Sequence, residues 1–315
     1  MPLDPFLEPL LSTLPPLPDP IDDFDAWRKQ STQTAEAATA QLSEPGPAVA
    51  GIQYVSIPVP GGTIDLKVYQ PSGQGPHSAH LFIHGGGWFA GSIHDTHTDN
   101  VCRERSAGAG CVVVAVNYRK APEHPFPVPL DDCHAAVTWL IDHANELGVR
   151  PDRLTIGGQS AGANLAAALT LKLRDEQGPR FVLQLLECPP LDLTLSQPSY
   201  AALGTGYGLD LDEIRRMVAW YTGDNPELIH DPYLSPLLAD DLSDLPPAYV
   251  MTSEYDPLRD DGELYVHRLH EAHRPATISL QHGHIHGSSA FTKVMPTARQ
   301  WRDETLAALR NAYLD

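Results

Sequence analysis

The chain has 315 residues, enough to bury a large core either as one α/β domain with additions or as two smaller domains. Its 40 acidic residues against 21 basic ones give a net charge of -19, which disfavours nucleic acid and anionic membrane as partners. The opening Met1-Pro2-Leu3-Asp4-Pro5 has neither the basic region nor the apolar run of a leader, and no stretch approaches the ~18 apolar residues of a spanning helix. Cys102, Cys111, Cys133 and Cys188 are widely spaced and suggest neither a disulfide framework nor a zinc knuckle, so reduced, packed thiols in a cytoplasmic protein are expected.

In chain order, residues 1–46 begin Pro-rich, carry a helical stretch from Asp22 to about Leu42 and end at the breaker Glu44-Pro45-Gly46-Pro47, which marks them as a separate arm. Val55-Ser56-Ile57 and Thr63 to Tyr69 alternate apolar and polar residues around Pro60-Gly61-Gly62, the pattern of an antiparallel hairpin. Short apolar runs of buried-strand type then occur at 79–83, 111–116, 153–156, 181–186, 248–252 and 277–280, with helical stretches near 95–107, 130–147, 161–176 and 258–273. This alternation predicts a mostly parallel sheet of about eight strands covered on both faces. The interval of about sixty residues between Glu187 and Ala248 is too long for a simple crossover and contains the helix-like Leu211 to Tyr221. The organisation expected is therefore an arm over 1–46, a core over 47–190, an inserted cap over 191–240 and the rest of the core over 241–315.

The chemistry centres on Leu154 to Leu165, where a strand runs through Gly158-Gln159-Ser160-Ala161-Gly162 into a helix. Such a turn holds its serine in a strained conformation with the hydroxyl projecting from the sheet, and glycines two before and two after relieve the crowding. A serine nucleophile needs a base, and the base an orienting acid, and with a strand-turn-helix elbow of this kind they follow it in the order acid then histidine. Asp256, at the end of a strand, is the favoured acid; Glu254 and Glu187 also follow strands, whereas Asp260 and Asp261 read as caps or dipole partners of the next helix. The base lies in Gln281-His282-Gly283-His284-Ile285-His286-Gly287, and spacing does not choose among its three histidines. Their alternation also suggests a metal site, which two interrupting glycines disfavour. His84-Gly85-Gly86-Gly87-Trp88 follows a strand and can turn backbone N–H groups into a cavity, with Ala161 at the elbow helix as the second oxyanion donor. The same run has neither the lysine of a phosphate loop nor the G-x-G-x-x-G spacing.

Taken with Tyr118 to Pro127, Asp256-Pro257-Leu258-Arg259-Asp260-Asp261-Gly262 and His286-Gly287, these motifs make the chain resemble the hormone-sensitive-lipase family of α/β-hydrolase esterases over about residues 75–290. The resemblance implies an α/β-hydrolase fold with a helical cap, nucleophile Ser160, acid Asp256, base His286, and Gly86, Gly87 and Ala161 as oxyanion donors. It implies a mainly structural role for Glu123 to Pro127. The chain departs from the family at Gln159, where an acid or threonine is usual, and at Ser288, where phenylalanine is common. A carboxylesterase acting on short to medium acyl esters without cofactor or metal is expected, with Trp88, Tyr207 and Trp220 lining the pocket or packing the cap. An amidase or peptidase, and a non-catalytic small-molecule receptor on the same fold, are the competing readings. A homodimer through an edge strand is conceivable.

Overall fold

Alternation around Pro60 and Gly61 produces a hairpin, β1 (Gly51–Val59) and β2 (Gly62–Gln70), in which Val59 pairs with Gly62 and Gly61 takes a φ of 79°. The computed structural model describes residues 2–14, 16–223 and 225–314. Six further strands follow: β3 (His77–Ile83), β4 (Val112–Asn117), β5 (Val149–Gln159), β6 (Leu183–Glu187), β7 (Ala248–Tyr255) and β8 (Ala276–Ile285). They form one sheet in the order β1-β2-β4-β3-β5-β6-β7-β8, antiparallel across β1/β2/β4 and parallel from β4 to β8. The strand order reverses at β3, so β4 and β5 flank it and a crevice opens at the carboxyl ends of β3 and β5. Both faces are buried: Val112, Val114 and Val116 of β4 enter one apolar cluster, Val113 and Ala115 the other.

Helices α3 (Thr96–Ala109), α4 (Val128–Asp142), α5 (Ala144–Leu147), α6 (Ala161–Asp175) and α9 (Arg259–Glu271) occupy the expected intervals, the predicted 130–147 stretch being two helices broken at His143. A further helix, α10 (Pro296–Ala312), closes the chain and packs beside α3. Its buried positions Ala298, Trp301, Thr305, Ala308 and Leu309 keep helical spacing, a signal present in the sequence.

Asp260 and Asp261 do more than the cap role expected of them. They lie in the first turn of α9, yet Asp260 Oδ2 accepts from the Ser199 N–H at 2.9 Å, and Asp261 Oδ2 accepts from the N–H groups of Leu191 (2.7 Å) and Asp192 (3.0 Å) and the Tyr200 hydroxyl (2.8 Å). Asp261 thus brackets the chain as it leaves β6, and burial pushes its carboxyl up to about 8. Asp261→Ala would strand three donors in the interior. A loss of about 3 kcal/mol is expected, seen as a lower urea midpoint at unchanged slope.

Before β1 come α1 (Leu7–Leu11) and α2 (Phe24–Leu42), the latter N-capped by Asp23, whose side chain accepts from the Ala26 N–H. Between β6 and β7 lie α7 (Pro198–Leu203) and α8 (Leu211–Thr222). Arg28 of α2 donates to the carbonyls of Phe89 and Ala121 and pairs with both oxygens of Glu123, while Phe24 meets Phe89 and Trp220 edge-on. The arm therefore sits on the loop after β3 and on α8. Leu7 is fully buried in a cluster with Ile285, Met295 and Ala298. From Pro226 the insertion turns back toward the core: Asn164 of α6 donates to the Leu234 carbonyl, and Leu234 and Leu237 join the main apolar cluster. Residues Leu234 and Leu237 of this interval therefore pack with the core.

Candidate active site

Ser160 stands between β5 and α6 with φ 53° and ψ -122°, a region that L-residues occupy only when their surroundings over-determine it. The glycines explain how the turn closes. A Cβ on Gly158 would lie 2.4 Å from the Ile83 carbonyl oxygen and 2.5 Å from Gly162, and one on Gly162 would lie 2.1 Å from the same oxygen. The elbow is thereby pressed against the end of β3, with its hydroxyl over the crevice.

β7 runs three residues beyond its predicted end and delivers Asp256 directly after Tyr255. β8 also runs on, to Ile285, and His286 follows it. The Ser160 hydroxyl is 3.0 Å from His286 Nε2, and His286 Nδ1 is 2.7 Å from Asp256 Oδ2. Asp256 is fully buried, and its other oxygen accepts from the Leu258 N–H at 2.9 Å, which fixes the carboxylate plane. Burial works to lower the His286 pKa, but the charge and hydrogen bond of Asp256 outweigh it and hold the imidazole above its ordinary 6.5.

The other two histidines are carried elsewhere. Gly283 adopts φ 74° where the β7/β8 register shifts, so the three rings do not share one side. His282 is half-exposed with Nδ1 3.2 Å from Glu254, whose carboxylate also accepts from the Gly283 N–H. His284 is buried, and burial lowers it to about 4. Its Nδ1 and the Ile285 N–H donate to Ser288 Oγ, which in turn donates to the Ile285 carbonyl. Ser288 thus clasps the turn that carries His286. Of the alternative acids, Glu254 faces His282 and Glu187 is paired with Arg105.

Gly86 (φ 118°) and Gly87 (φ 57°) turn the backbone between β3 and Trp88, and a Cβ on Gly86 would meet the Ala90 carbonyl at 2.3 Å. Ala161 is the first residue of α6, so its N–H has no intrahelical partner. The three aromatics are not gathered into one wall. Trp88 is 2% exposed, stacks on Tyr221 of α8 at 4.7 Å and donates to Asn164. Trp220 packs among Phe24 and Phe89, whereas Tyr207 lies against Tyr255 beside Leu7, Ile285 and Phe291.

Two neighbours were not marked out by motif. Cys188, with φ 47°, shares a hydrogen bond with Ser253, and its sulfur lies within 4.8 Å of ligand atoms of both Asp256 and His286. The three ligand atoms lie close enough together to meet one ion, and burial, with the Asp256 charge beside it, holds the Cys188 thiol well above its ordinary value. Glu187, at the end of β6, accepts the Ser160 N–H on its backbone oxygen at 2.8 Å. Among the described residues no helix is long and apolar enough to cross a membrane.

A family model described as alpha/beta hydrolase fold matches residues 80–290. The chain is 42% identical to the carboxylesterase NlhH of Mycobacterium tuberculosis, over 74% of this chain and 73% of that protein. It is 34% identical to an arylesterase of Saccharolobus solfataricus over 95% of both chains. A hyperthermophilic esterase from Pyrobaculum calidifontis superposes over the full length of both chains with a TM-score of 0.91 at 34% identity.

Proposed function

The chain belongs to the hormone-sensitive-lipase-like family of α/β-hydrolase esterases, and from this we infer a serine carboxylesterase in which Ser160, His286 and Asp256 form the catalytic triad. The observation that supports the triad is the continuous relay from Ser160 Oγ through His286 to Asp256, at 3.0 and 2.7 Å. The serine hydroxyl attacks the ester carbonyl as His286 Nε2 takes its proton. Asp256 keeps the Nδ1–H tautomer facing it and stabilises the imidazolium. The N–H groups of Gly86, Gly87 and Ala161 receive the tetrahedral oxyanion, where fixed dipoles act without reorganising. His286 then protonates the departing alcohol, and the same imidazole draws a proton from the water that releases the acid and frees Ser160.

The arm over 1–46 and the insertion over 191–240 are assigned as the cap, supported by the contacts of Arg28, Phe24 and Trp220 around the oxyanion loop. In this reading Tyr207 lines the acyl pocket, while Trp88 and Trp220 fasten the cap to the loop that carries the oxyanion donors. A pocket closed by such a cap suits short to medium acyl chains. Free, buried cysteines fit a reducing cytoplasm, and the open edge at β8, where Thr277 and Ile278 are exposed, is the surface offered for a homodimer.

Hydrolysis of a chromogenic ester series from acetyl to palmitoyl tests the reading. Rates are expected to peak among short chains and fall steeply toward palmitoyl. A maximum at palmitoyl would overturn the bounded pocket, and cleavage of matched amides but of no ester in the series would overturn the esterase assignment.

A further inference from the structure

Glu187 reads in sequence as one of the possible triad acids, and the structure gives its carboxylate other partners. We infer that Glu187 is a positioning residue for the nucleophile, tying the strained turn at Ser160 to helices on the far side of the sheet. The inference rests on Ser160 being that nucleophile.

The contacts on Glu187 come from four directions. Its backbone oxygen accepts the Ser160 N–H at 2.8 Å, and it stands opposite Gln159 in the β5/β6 register. One carboxylate oxygen pairs with Arg105 of α3; the other accepts from Trp301 Nε1 of α10 at 2.8 Å and, more weakly, from Gln159 Nε2 at 3.4 Å. The Gln159 amide oxygen takes a hydrogen bond from His97 Nε2 at 3.0 Å. Arg105 continues inward to His80 Nε2 at 2.8 Å, and His80 Nδ1 is 2.9 Å from Thr155 Oγ1 on β5. Both residues flanking the turn's entry are therefore held, Gln159 by its side chain and Ser160 by its N–H.

Three features favour positioning over plain stability. Arg105 and Glu187 are almost wholly buried, and a pair of that kind is commonly no better for stability than apolar residues of similar volume. Every side-chain partner of Glu187 is a donor, so a carboxylate meets all of them and an amide would set its own NH₂ against one. The third is the space beside it: Gln159, Glu187 and Arg105 line a small cleft of about 40 Å³, so the Gln159 side chain has room to move if released. A conformation as strained as that of Ser160 persists only where its surroundings hold it.

The test pairs the apolar double variant Arg105→Met/Glu187→Leu with the single variant Gln159→Met. Each is measured for melting temperature, kcat and KM, and the rate at which an organophosphonate labels Ser160. The double variant is expected to melt within a few degrees of the wild-type temperature, because removal of the buried pair offsets the loss of the acceptor of Trp301 Nε1. Its kcat and labelling rate should fall about tenfold, short of the ~100-fold that a 1 Å misplacement can bring, with KM within about twofold. Gln159→Met should lower both rates several-fold without moving the melting temperature. Wild-type labelling and kcat in the double variant would show the pair to be purely structural and overturn the inference. If the double variant does not fold, Gln159→Met decides alone, and wild-type rates there overturn it. Failure of the wild type itself to be labelled would instead remove the nucleophile assignment beneath it.

Discussion

Ser160→Ala is expected to lower kcat about a millionfold while KM stays within a few-fold of wild type, and His286→Ala to lower it nearly as far. The double variant should be no slower than either single one, because serine and histidine act as one unit: with no hydroxyl to deprotonate the base has no task, and with no base the hydroxyl remains a weak nucleophile. What survives in all three is the contribution of the oxyanion donors and of binding, about 10³-fold over water. The folds should be unaffected, since Ser160 Oγ and the His286 ring are held chiefly by each other and by Asp256. Steady-state kinetics on the best chromogenic ester, with a melting curve for each variant, checks the expectation. The neighbouring histidines separate the base from its surroundings. His282→Ala, half-exposed against Glu254, should remain nearly as active as wild type, whereas His284→Ala removes a buried donor from the Ser288 clasp and should destabilise the protein first. A His282→Ala variant as inactive as His286→Ala would move the base and dissolve the triad proposed above. Equal activity in wild type and Ser160→Ala would remove serine catalysis altogether.

How far these residues can be read from the sequence depends on how local the physics is. The elbow is legible because its constraint is short-range: Gly158 and Gly162 crowd each other and Ile83, and two glycines around a serine record that crowding directly. The parallel sheet is legible for a similar reason, since strands buried on both faces must be apolar throughout, as in Val112 to Val116. The choice among the three histidines is not local. Strict alternation would put their rings together, and it is the left-handed Gly283, at the β7/β8 register shift, that turns His282 toward Glu254 and leaves His286 for Asp256. Glu187 lies further from reach, because its partners Arg105 and Trp301 are 82 and 114 residues away and come from helices whose packing no spacing rule specifies. The insertion is an intermediate case. Its length announces extra structure, and Ile214, Val218 and Tyr221 announce an amphipathic helix, but an apolar stripe does not state its partner. That Tyr221 stacks on Trp88, tying α8 to the loop after β3, is a property of the assembled molecule.

Asp256→Asn should lower kcat about 10⁴-fold and shift the pH profile in a direction fixed by the His286 environment. In the wild type the neutral imidazole is the active form, so kcat/KM rises with pH through the His286 ionisation. Two effects oppose each other there: burial lowers that pKa, and the charge and hydrogen bond of Asp256 raise it, with the second prevailing. The limb is therefore expected above 6.5. A neutral amide at position 256 removes the raising contribution and leaves burial unopposed, so the limb should move acid, below that of the wild type. The two effects on rate then part company. The large loss, seen at all pH values, reflects an imidazole no longer held as the Nδ1–H tautomer and an imidazolium no longer stabilised as it forms. The shift makes the deficit smaller at pH 5.5 than at pH 8, because the variant's base is already neutral where much of the wild type's is protonated. Profiles of kcat/KM for both proteins across pH 5 to 9 give the comparison. An unmoved limb accompanied by only a few-fold loss would mean that Asp256 does not act on His286, and would send the search for the acid back to Glu254.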